Sequence, residues 1–361
     1  MDLELSETQS LLQETVRSYL QKELPYERIR QLEKDGASDA TLWKAMAEQG
    51  WLALPFSEAR GGGGGTLVDV GILVEELARR AAIVPILEVV ASGWVLERHG
   101  EGDAAAELLA AVPTGDAVPV PALLEGSGGS VDVSLVCKGG TLTGDKRSVD
   151  HGREATHHLV SARDGDLPAL FRVDAGAAGV ECRPLRAIGR TPLCDVRYQG
   201  VPAVRVAGPE ALAALVRLGR TLAAVQCLGA MQQALEMTVA YANVREQFGK
   251  TIGSFQAVRH HCANMAIRAA STRVLVYETL DAIDRGTATD ARAALAKASA
   301  SRAAPEVTML AHQIHGGNGV IEENDLYFTT LRAKQQSLAW GSFDECMAVV
   351  AEQVDAEADW F

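Results

Sequence analysis

From Pro209 onward the chain keeps a helical period almost to its end. Apolar residues recur at intervals of three and four over three long stretches, Pro209 to about Asn243, Phe255 to Asp284 and Asp290 to His315, with shorter ones over about 323–336 and 341–356. Each such helix must bury a long apolar stripe against its neighbours. No strict heptad is sustained, so a helical bundle is predicted rather than a coiled coil. Aromatics make up only 5% of the residues and alanine is abundant, so closely packed helices with small side chains are expected inside.

Two different blocks precede this one. In the first, Leu5, Leu11, Leu12, Val16 and Leu20 follow the 3.6-residue period, Ser6 with Gln9 forms a capping-box pattern, and further helices are predicted over about 40–50, 67–80 and 84–98. The run Gly61 to Gly65 between two of them reads as a flexible linker loop; no Lys-Ser/Thr follows it, which argues against a phosphate cradle. Near residue 113 the signal changes. Pro113, Pro119 and Pro121 lead into a glycine-rich turn over 125–130 and then short Val- and Leu-rich runs around 131–137, 141–149, 157–162, 168–173, 179–182 and 195–199, a pattern for a compact antiparallel sheet. The predicted fold is mainly α with a central β domain: an N-terminal helical domain over 1–112, a middle β domain over 113–206 and a C-terminal helical bundle over 207–361.

Charge and cysteine usage narrow the function classes. With 34 Lys+Arg against 47 Asp+Glu the net charge is −13, which repels phosphate polyanions and excludes general nucleic-acid binding. The start, MDLELSETQS, has no basic-then-apolar signal pattern, and no apolar run is read as reaching the roughly 20 residues of a membrane span, so a cytoplasmic protein is expected. Six cysteines lie scattered without CxxC or CxH pairs, unlike a disulfide framework or a zinc site.

Two local clusters carry chemistry. The first, Tyr241 to Gln256, puts the guanidinium of Arg245, the carboxamide of Gln247 and the ring of Phe248 at the end of one long helix beside Gly249; Arg245 there can hold a phosphate or pyrophosphate bidentately, or simply cap the helix dipole. The second, His312-Gln313-Ile314-His315-Gly316-Gly317-Asn318-Gly319, closes another long helix. One glycine suffices to stop a helix, whereas three in four residues let backbone approach a ligand. His312 and His315 have metal-compatible spacing but no third ligand nearby, so no metal site is predicted.

Together these clusters make the chain resemble the acyl-CoA dehydrogenase flavoprotein family over nearly its whole length, most strongly in VREQFGKTIGSFQ and QIHGGNG, and also in LWKAMAEQGWLALPFSEARGG and EELARR. The resemblance implies FAD as cofactor and an acyl-CoA as substrate. It assigns Arg245 to the FAD pyrophosphate, Gln247, Phe248 and Gln256 to the lining of the same cofactor, and Gln313, Gly316 and Gly317 to the ADP half of FAD. In family homotetramers these groups serve an FAD whose ring lies in a neighbouring subunit.

Elsewhere the chain departs from the family pattern. Where the family carries a TEPxxGSD-like loop and a WxT-like segment around the flavin ring, this chain has the segments 123–130 and 146–150, with Ser127 and Ser148 as the remaining candidate donors. The family's glutamate base, counted ungapped from the GGxG motif, falls on Trp340; the alternative base position on the first bundle helix falls on Gly219, just before Arg220. Neither position holds a carboxylate, and Arg220 cannot serve as a base. Asp344 and Glu345, with Glu210 and Glu236 farther away, are the carboxylates that a displaced base would use.

The pattern resembles the shorter, base-lacking subunit of heteromeric α2β2 acyl-CoA dehydrogenases of actinobacterial sterol side-chain degradation. It implies a partner acyl-CoA dehydrogenase subunit, with electron-transfer flavoprotein as a candidate acceptor. Two other readings stay open. One is a self-sufficient flavoenzyme, with Asp344 or Glu345 as base or with oxidase or monooxygenase chemistry; the other is a scaffold without flavin.

Overall fold

Ser6 begins the first helix as the sequence predicts: its hydroxyl accepts the Gln9 N–H while the Gln9 side chain accepts the Ser6 N–H, which satisfies two of the free donors at a helix start. The computed structural model describes residues 4–126, 131 and 133–357. Its helices are α1 (Glu7–Glu23), α2 (Tyr26–Asp35), α3 (Ala40–Glu48), α4 (Leu67–Arg79), α5 (Ile86–His99) and α6 (Gly102–Ala111). Strands β1 (Pro119–Ala122), β2 (Thr141–Asp150), β3 (His157–Asp164), β4 (Leu167–Asp174), β5 (Val180–Pro184), β6 (Leu193–Pro202) and β7 (Val204–Ala207) follow. The C-terminal part holds α7 (Pro209–Val244), the short strands β8 (Glu246–Gln247) and β9 (Lys250–Thr251), and then α8 (Gln256–Asp284), α9 (Asp290–His315), α10 (Leu326–Leu338) and α11 (Phe343–Glu357).

These elements group into two compact units. The first comprises Met1–Ile29, Gly71–Ala82 and Arg220–Phe361; the second comprises Arg30–Val70 and Ile83–Gly219. In the first unit α9 packs against α8, α10 and α11. Alanine makes this possible: Ala293, Ala294, Ala296, Ala298, Ala300 and Ala304 are buried around α9, and only small side chains admit neighbours on so many sides. The buried carboxylates of α4 are paired, Glu75 with Arg273 and the Tyr277 hydroxyl (2.7 Å), and Glu76 with Arg17 (2.6 Å). Contrary to the sequence expectation, α7 is long and apolar enough to cross a membrane, with a mean hydropathy of 1.4 over an 18-residue window, but 78% of that window is buried in the protein. It is a core helix.

In the second unit the strands form two sheets, ordered β1-β3-β4-β7 and β2-β6-β5. These pairs are antiparallel as expected except one, since β1 runs parallel to β3. The Val118 carbonyl accepts from His157, so the even-numbered residues of β1 face the ladder, and Pro119 and Pro121, which lack an N–H, face away from it. Two of the three prolines that mark a boundary in the sequence, Pro119 and Pro121, therefore sit in an edge strand. Over 131–137 the predicted strand is absent among the described residues, where only Val136 bridges, to Arg163. The amides of Ser134 and Leu135 bond the Glu125 carboxylate instead of a neighbouring strand.

The glycine run is not a loose linker. The amides of Gly62, Gly63, Gly64 and Gly65 donate to the carbonyls of Ser57, Ala53, Phe56 and Leu54, and a Cβ on Gly62 would lie 2.1 Å from the Phe56 carbonyl oxygen. The glycines are there because backbone packs on backbone.

Candidate functional site

α7 ends at Val244, and the Arg245 N–H still bonds the Tyr241 carbonyl at 2.8 Å. Strands β8 and β9 then make a tight hairpin whose two turn residues, Phe248 (φ 54°) and Gly249 (φ 75°), are both left-handed, as a type I′ turn requires. The turn holds Phe248 out in solvent at 92% exposure, its ring edge-on to Phe255 at 6.1 Å. Arg245, Gln247 and Gln256 are exposed as well; Gln247 donates to the Glu246 carbonyl, and the Arg245 guanidinium has no ion pair or hydrogen bond among the described residues. An unpaired guanidinium beside an exposed ring and carboxamides is ready for an anionic ligand.

The second cluster closes α9. Gly316 takes φ 60° and ψ −142°, a conformation open in practice to glycine alone, and a Cβ on Gly319 would come 2.8 Å from that of His315. Gly317 has no such internal reason: nothing lies within 4 Å of where its Cβ would stand, and it is exposed beside Gln313. The Tyr241 ring stacks on His315 at 4.4 Å and 16°, which brings the end of α9 beside the end of α7 and so places both motifs in one region of the first unit. His315 bonds the Ala311 carbonyl through Nδ1 (2.9 Å), and His312 Nε2 meets the Thr330 hydroxyl (2.7 Å). Both histidines thus have structural partners.

A third feature lies between α10 and α11. Trp340 adopts φ 60° and Gly341 φ 112°, a left-handed pair that a tryptophan enters only against a steric cost of about 1–2 kcal/mol. A half-buried and a buried cation hold the turn. Arg220 Nε donates to the Trp340 carbonyl (3.3 Å), while Lys297 Nζ donates to the carbonyls of Gly341 (2.9 Å) and Ser337 (3.2 Å) and to the Ser301 hydroxyl (2.7 Å). Burial lowers the Lys297 pKa against the opposing pull of Cys227 and Cys346; the Cys227 thiol is itself pushed up to about 11 by burial. Glu345 accepts the Ser342 N–H (2.8 Å) as part of the α11 cap, and Asp344 is exposed.

The two end domains of a known family match this chain, the acyl-CoA dehydrogenase N-terminal domain over residues 6–116 and the acyl-CoA dehydrogenase C-terminal domain over residues 208–354. Acyl-CoA dehydrogenase IpdE2 of Mycolicibacterium smegmatis is 31% identical over 338 residues, which cover 92% of this chain and 95% of that protein. The chain belongs to the acyl-CoA dehydrogenase family. The Tcur3481–Tcur3483 steroid acyl-CoA dehydrogenase variant is similar in structure, with a TM-score of 0.91 at 31% identity over 97% of this chain and 98% of that one. The ChsE4–ChsE5 complex from Mycobacterium tuberculosis contains a chain with a TM-score of 0.92 at 28% identity, covering 99% and 100%. The expected fold and the recognised family are thereby established, and FAD is the family's cofactor.

In this member of the family Leu123 and Glu125 are tied to Lys146 of β2. Lys146, fully buried, donates to Glu125 Oε1 (2.6 Å), to the Leu123 carbonyl (3.2 Å) and to the Ser161 hydroxyl (2.9 Å). Burial works to raise the Glu125 pKa, but the hydrogen bonds from Lys146 and Ser134 outweigh it and hold the carboxyl below its ordinary value. Ser148 is exposed in a bulge of β2 with φ 51°, its N–H taken by Asp195 Oδ1 (3.1 Å). Ser127 lies outside the described residues. Gly219 is buried in α7; Glu210 is exposed in its first turn, and Glu236 pairs with Arg79.

Lys297 is the residue that reading the sequence missed. Its one signal is a lone cation in the Ala-rich run Ala293 to Ala300, away from the helix's exposed Arg292 and Arg302. Glu125 and Lys146 were visible as departures from a motif, but nothing local announced that they pair across 21 residues.

Proposed function

We propose that the chain is a subunit of a heteromeric, FAD-dependent acyl-CoA dehydrogenase that introduces a 2,3-double bond into an acyl-CoA, with a steroid side-chain thioester as the substrate class. It contributes the ADP and pyrophosphate half of the FAD site through Arg245, Gln247, Phe248, Gln256, Gln313, Gly316 and Gly317, and it has no catalytic base of its own. Its parts in this reading are residues 1–112, 113–206 and 207–361.

The observation that carries the proposal is an asymmetry. The residues assigned to the ADP half are exposed, and Arg245 has no partner among the described residues, whereas the positions expected for the family's base, counted ungapped, hold Trp340 and Gly219. The exposed guanidinium and the open backbone at Gly317 fit a pyrophosphate and its nucleotide. FAD, when bound, supplies the hydride acceptor. This chain's part is to bind and orient it, while the α-proton is removed by a carboxylate of the partner subunit, a general-base contribution of about 10²–10⁴-fold. A displaced base is disfavoured because Glu345 is committed to the α11 cap and Asp344 is exposed at the helix start. The partners named for the ChsE4–ChsE5 complex support a two-chain assembly.

Expressing the chain alone and together with a dehydrogenase-like chain that retains the glutamate tests the reading. The chain alone is expected to be colourless and inactive, and the pair yellow and active on acyl-CoA. A homo-oligomer of this chain with full FAD content and acyl-CoA turnover overturns it.

A further inference from the structure

Two of the scattered cysteines meet in the second unit. Cys182 on β5 stands opposite Val196 of β6, and Cys194 is two residues from Val196, so both side chains leave the sheet on the same face as diagonal neighbours. The thiols lie within hydrogen-bonding reach of each other. Both also converge on the end of β2 and the turn after it: Cys182 Sγ is 3.6 Å from the Gly152 carbonyl, Cys194 Sγ is 3.7 Å from that of Val149, and a Cβ on Gly152 would stand 2.7 Å from Cys194 Sγ. His158 completes the cluster. Its Nε2 donates to the Gly152 carbonyl (2.8 Å), which leaves Nδ1 to accept from the Tyr198 hydroxyl (3.0 Å).

The two sulfurs are not equivalent. Cys194 is fully buried, whereas Cys182 is half-buried on β5, an edge strand that solvent reaches. The Cys194 thiol and, more weakly, His158 and Arg153 favour the Cys182 thiolate, which is pushed down to about 5; the same contact, with burial and Glu154, raises Cys194. By contrast, burial raises Cys137 and Cys262, which are similarly half-buried.

We infer that Cys182 and Cys194 form a peroxide-sensitive thiol pair, in which Cys182 attacks and Cys194 resolves. The Cys182 thiolate attacks an oxygen of a hydroperoxide, the O–O bond breaks, and the departing alkoxide or hydroxide takes a proton, leaving Cys182 as a sulfenic acid. Cys194 sulfur then attacks Cys182 sulfur; the S–O bond breaks, and hydroxide leaves as water with the Cys194 proton. Two thiols have lost two electrons and the hydroperoxide has gained them. A dithiol reverses the reaction by exchange. Diagonal neighbours have Cα atoms roughly 7–8 Å apart, beyond the usual span of a disulfide, so the edge strand β5 must shift to close the bridge, which is expected to be readily reduced rather than a permanent staple. The inference rests on this cluster alone and holds whether or not the chain binds flavin.

The test uses the reduced, full-length protein. At pH 6 iodoacetamide is expected to label Cys182 at least about tenfold faster than Cys137 or Cys262. One equivalent of hydrogen peroxide at pH 7 should then yield the Cys182–Cys194 cross-linked peptide, reversed by dithiothreitol. In Cys194→Ser the sulfenic acid should persist and be trapped by dimedone, while in Cys182→Ser, at the sheet edge, Cys194 should stay unoxidised. Equal labelling of Cys137, Cys182 and Cys262, or oxidation of Cys182 to sulfinic acid in the unsubstituted protein with Cys194 still free, overturns the inference. Both of those readings come from the unsubstituted protein, so a poorly folding variant does not shield it.

Discussion

Arg245 is a cation without a partner among the described residues, on a chain whose net charge is −13. No described residue pairs with its guanidinium, so its removal is expected to leave folding almost untouched and to weaken cofactor retention. In the assembled enzyme Arg245→Ala should lower FAD affinity about 10–100-fold, the equivalent of one charge-assisted hydrogen-bonded contact of about 1.5–3 kcal/mol, with a stability change within about 0.5 kcal/mol. Flavin release against dialysis, alongside thermal unfolding, checks both halves. A second residue is expected to report through pH. Glu88 is buried on α5; burial raises its pKa from 4.5 to about 7 against the pull of His151, which bonds the Ser38 hydroxyl through Nδ1 (2.7 Å). The folded state therefore holds a proton that the unfolded chain releases between those values, and stability falls as pH rises from 4.5 to about 7. His151 acts in the same sense: burial lowers its pKa, but Glu154 and Glu88 raise it further, so its contribution too is lost as pH rises past its ordinary value. Glu88→Gln should gain on the unsubstituted protein by on the order of 1–3 kcal/mol between pH 5 and pH 8, read from urea midpoints. Arg245 and Gln313 were legible in the sequence because their motifs are local. Glu88 with His151, and Lys146 with Glu125, were not, because each pair is assembled by the fold.

At the scale of elements, the long helices were legible because a 3.6-residue stripe over 25 or more residues has no competing explanation; α9 runs over the predicted Asp290–His315. Short elements fared worse. β1 is four residues with two prolines, and α6 is a short Ala-rich helix that went unread, since neither carries a period long enough to count. The tight glycine packing was also hidden, because a glycine run looks the same whether it is loose or wedged. Gly62→Ala should separate the two, since its Cβ would meet backbone at 2.1 Å; a loss of about 1–3 kcal/mol in urea unfolding is expected, against almost none for a loose loop. The α10–α11 turn makes a matching case. Lys297→Met strands the carbonyls of Ser337 and Gly341, at about 1–3 kcal/mol each, and this is partly offset by no longer burying an ammonium group. The folded-state pKa of Lys297 is lowered, so between that value and its ordinary 10.5 the unfolded chain binds more protons and stability rises with pH. In Lys297→Met that rise should be missing when urea midpoints are compared at pH 7 and pH 9.5.

For the molecule as a whole, the proposal of a two-chain enzyme turns on which surface the partner covers. Exposed large apolar side chains gather along the C-terminal helices, among them Ile267 on α8 and Met309 on α9, each 63% exposed. The Arg268–Glu306 ion pair (2.6 Å) sets the register of these two helices, so Ile267 and Met309 lie within about a turn of each other. Exposed apolar neighbours on packed helices are costly to leave in water, at roughly 25 cal/mol for each Å², and are the expected centre of a subunit contact. Replacing either by Asp removes that gain and sets a charge where a partner excludes water, so assembly should weaken by at least tenfold for Ile267→Asp or Met309→Asp. Both side chains already face solvent, so the unfolding of the separate chain should change by no more than about 0.5 kcal/mol. The discriminating measurement is sedimentation of this chain mixed with its co-expressed partner, alongside flavin absorbance. If the contact lies here, the heteromer and its yellow colour are lost together while the chain stays folded. If the heteromer survives both substitutions, the partner covers another face, and the reading of the ADP half-site as one shared between subunits must then be tested from Arg245 alone.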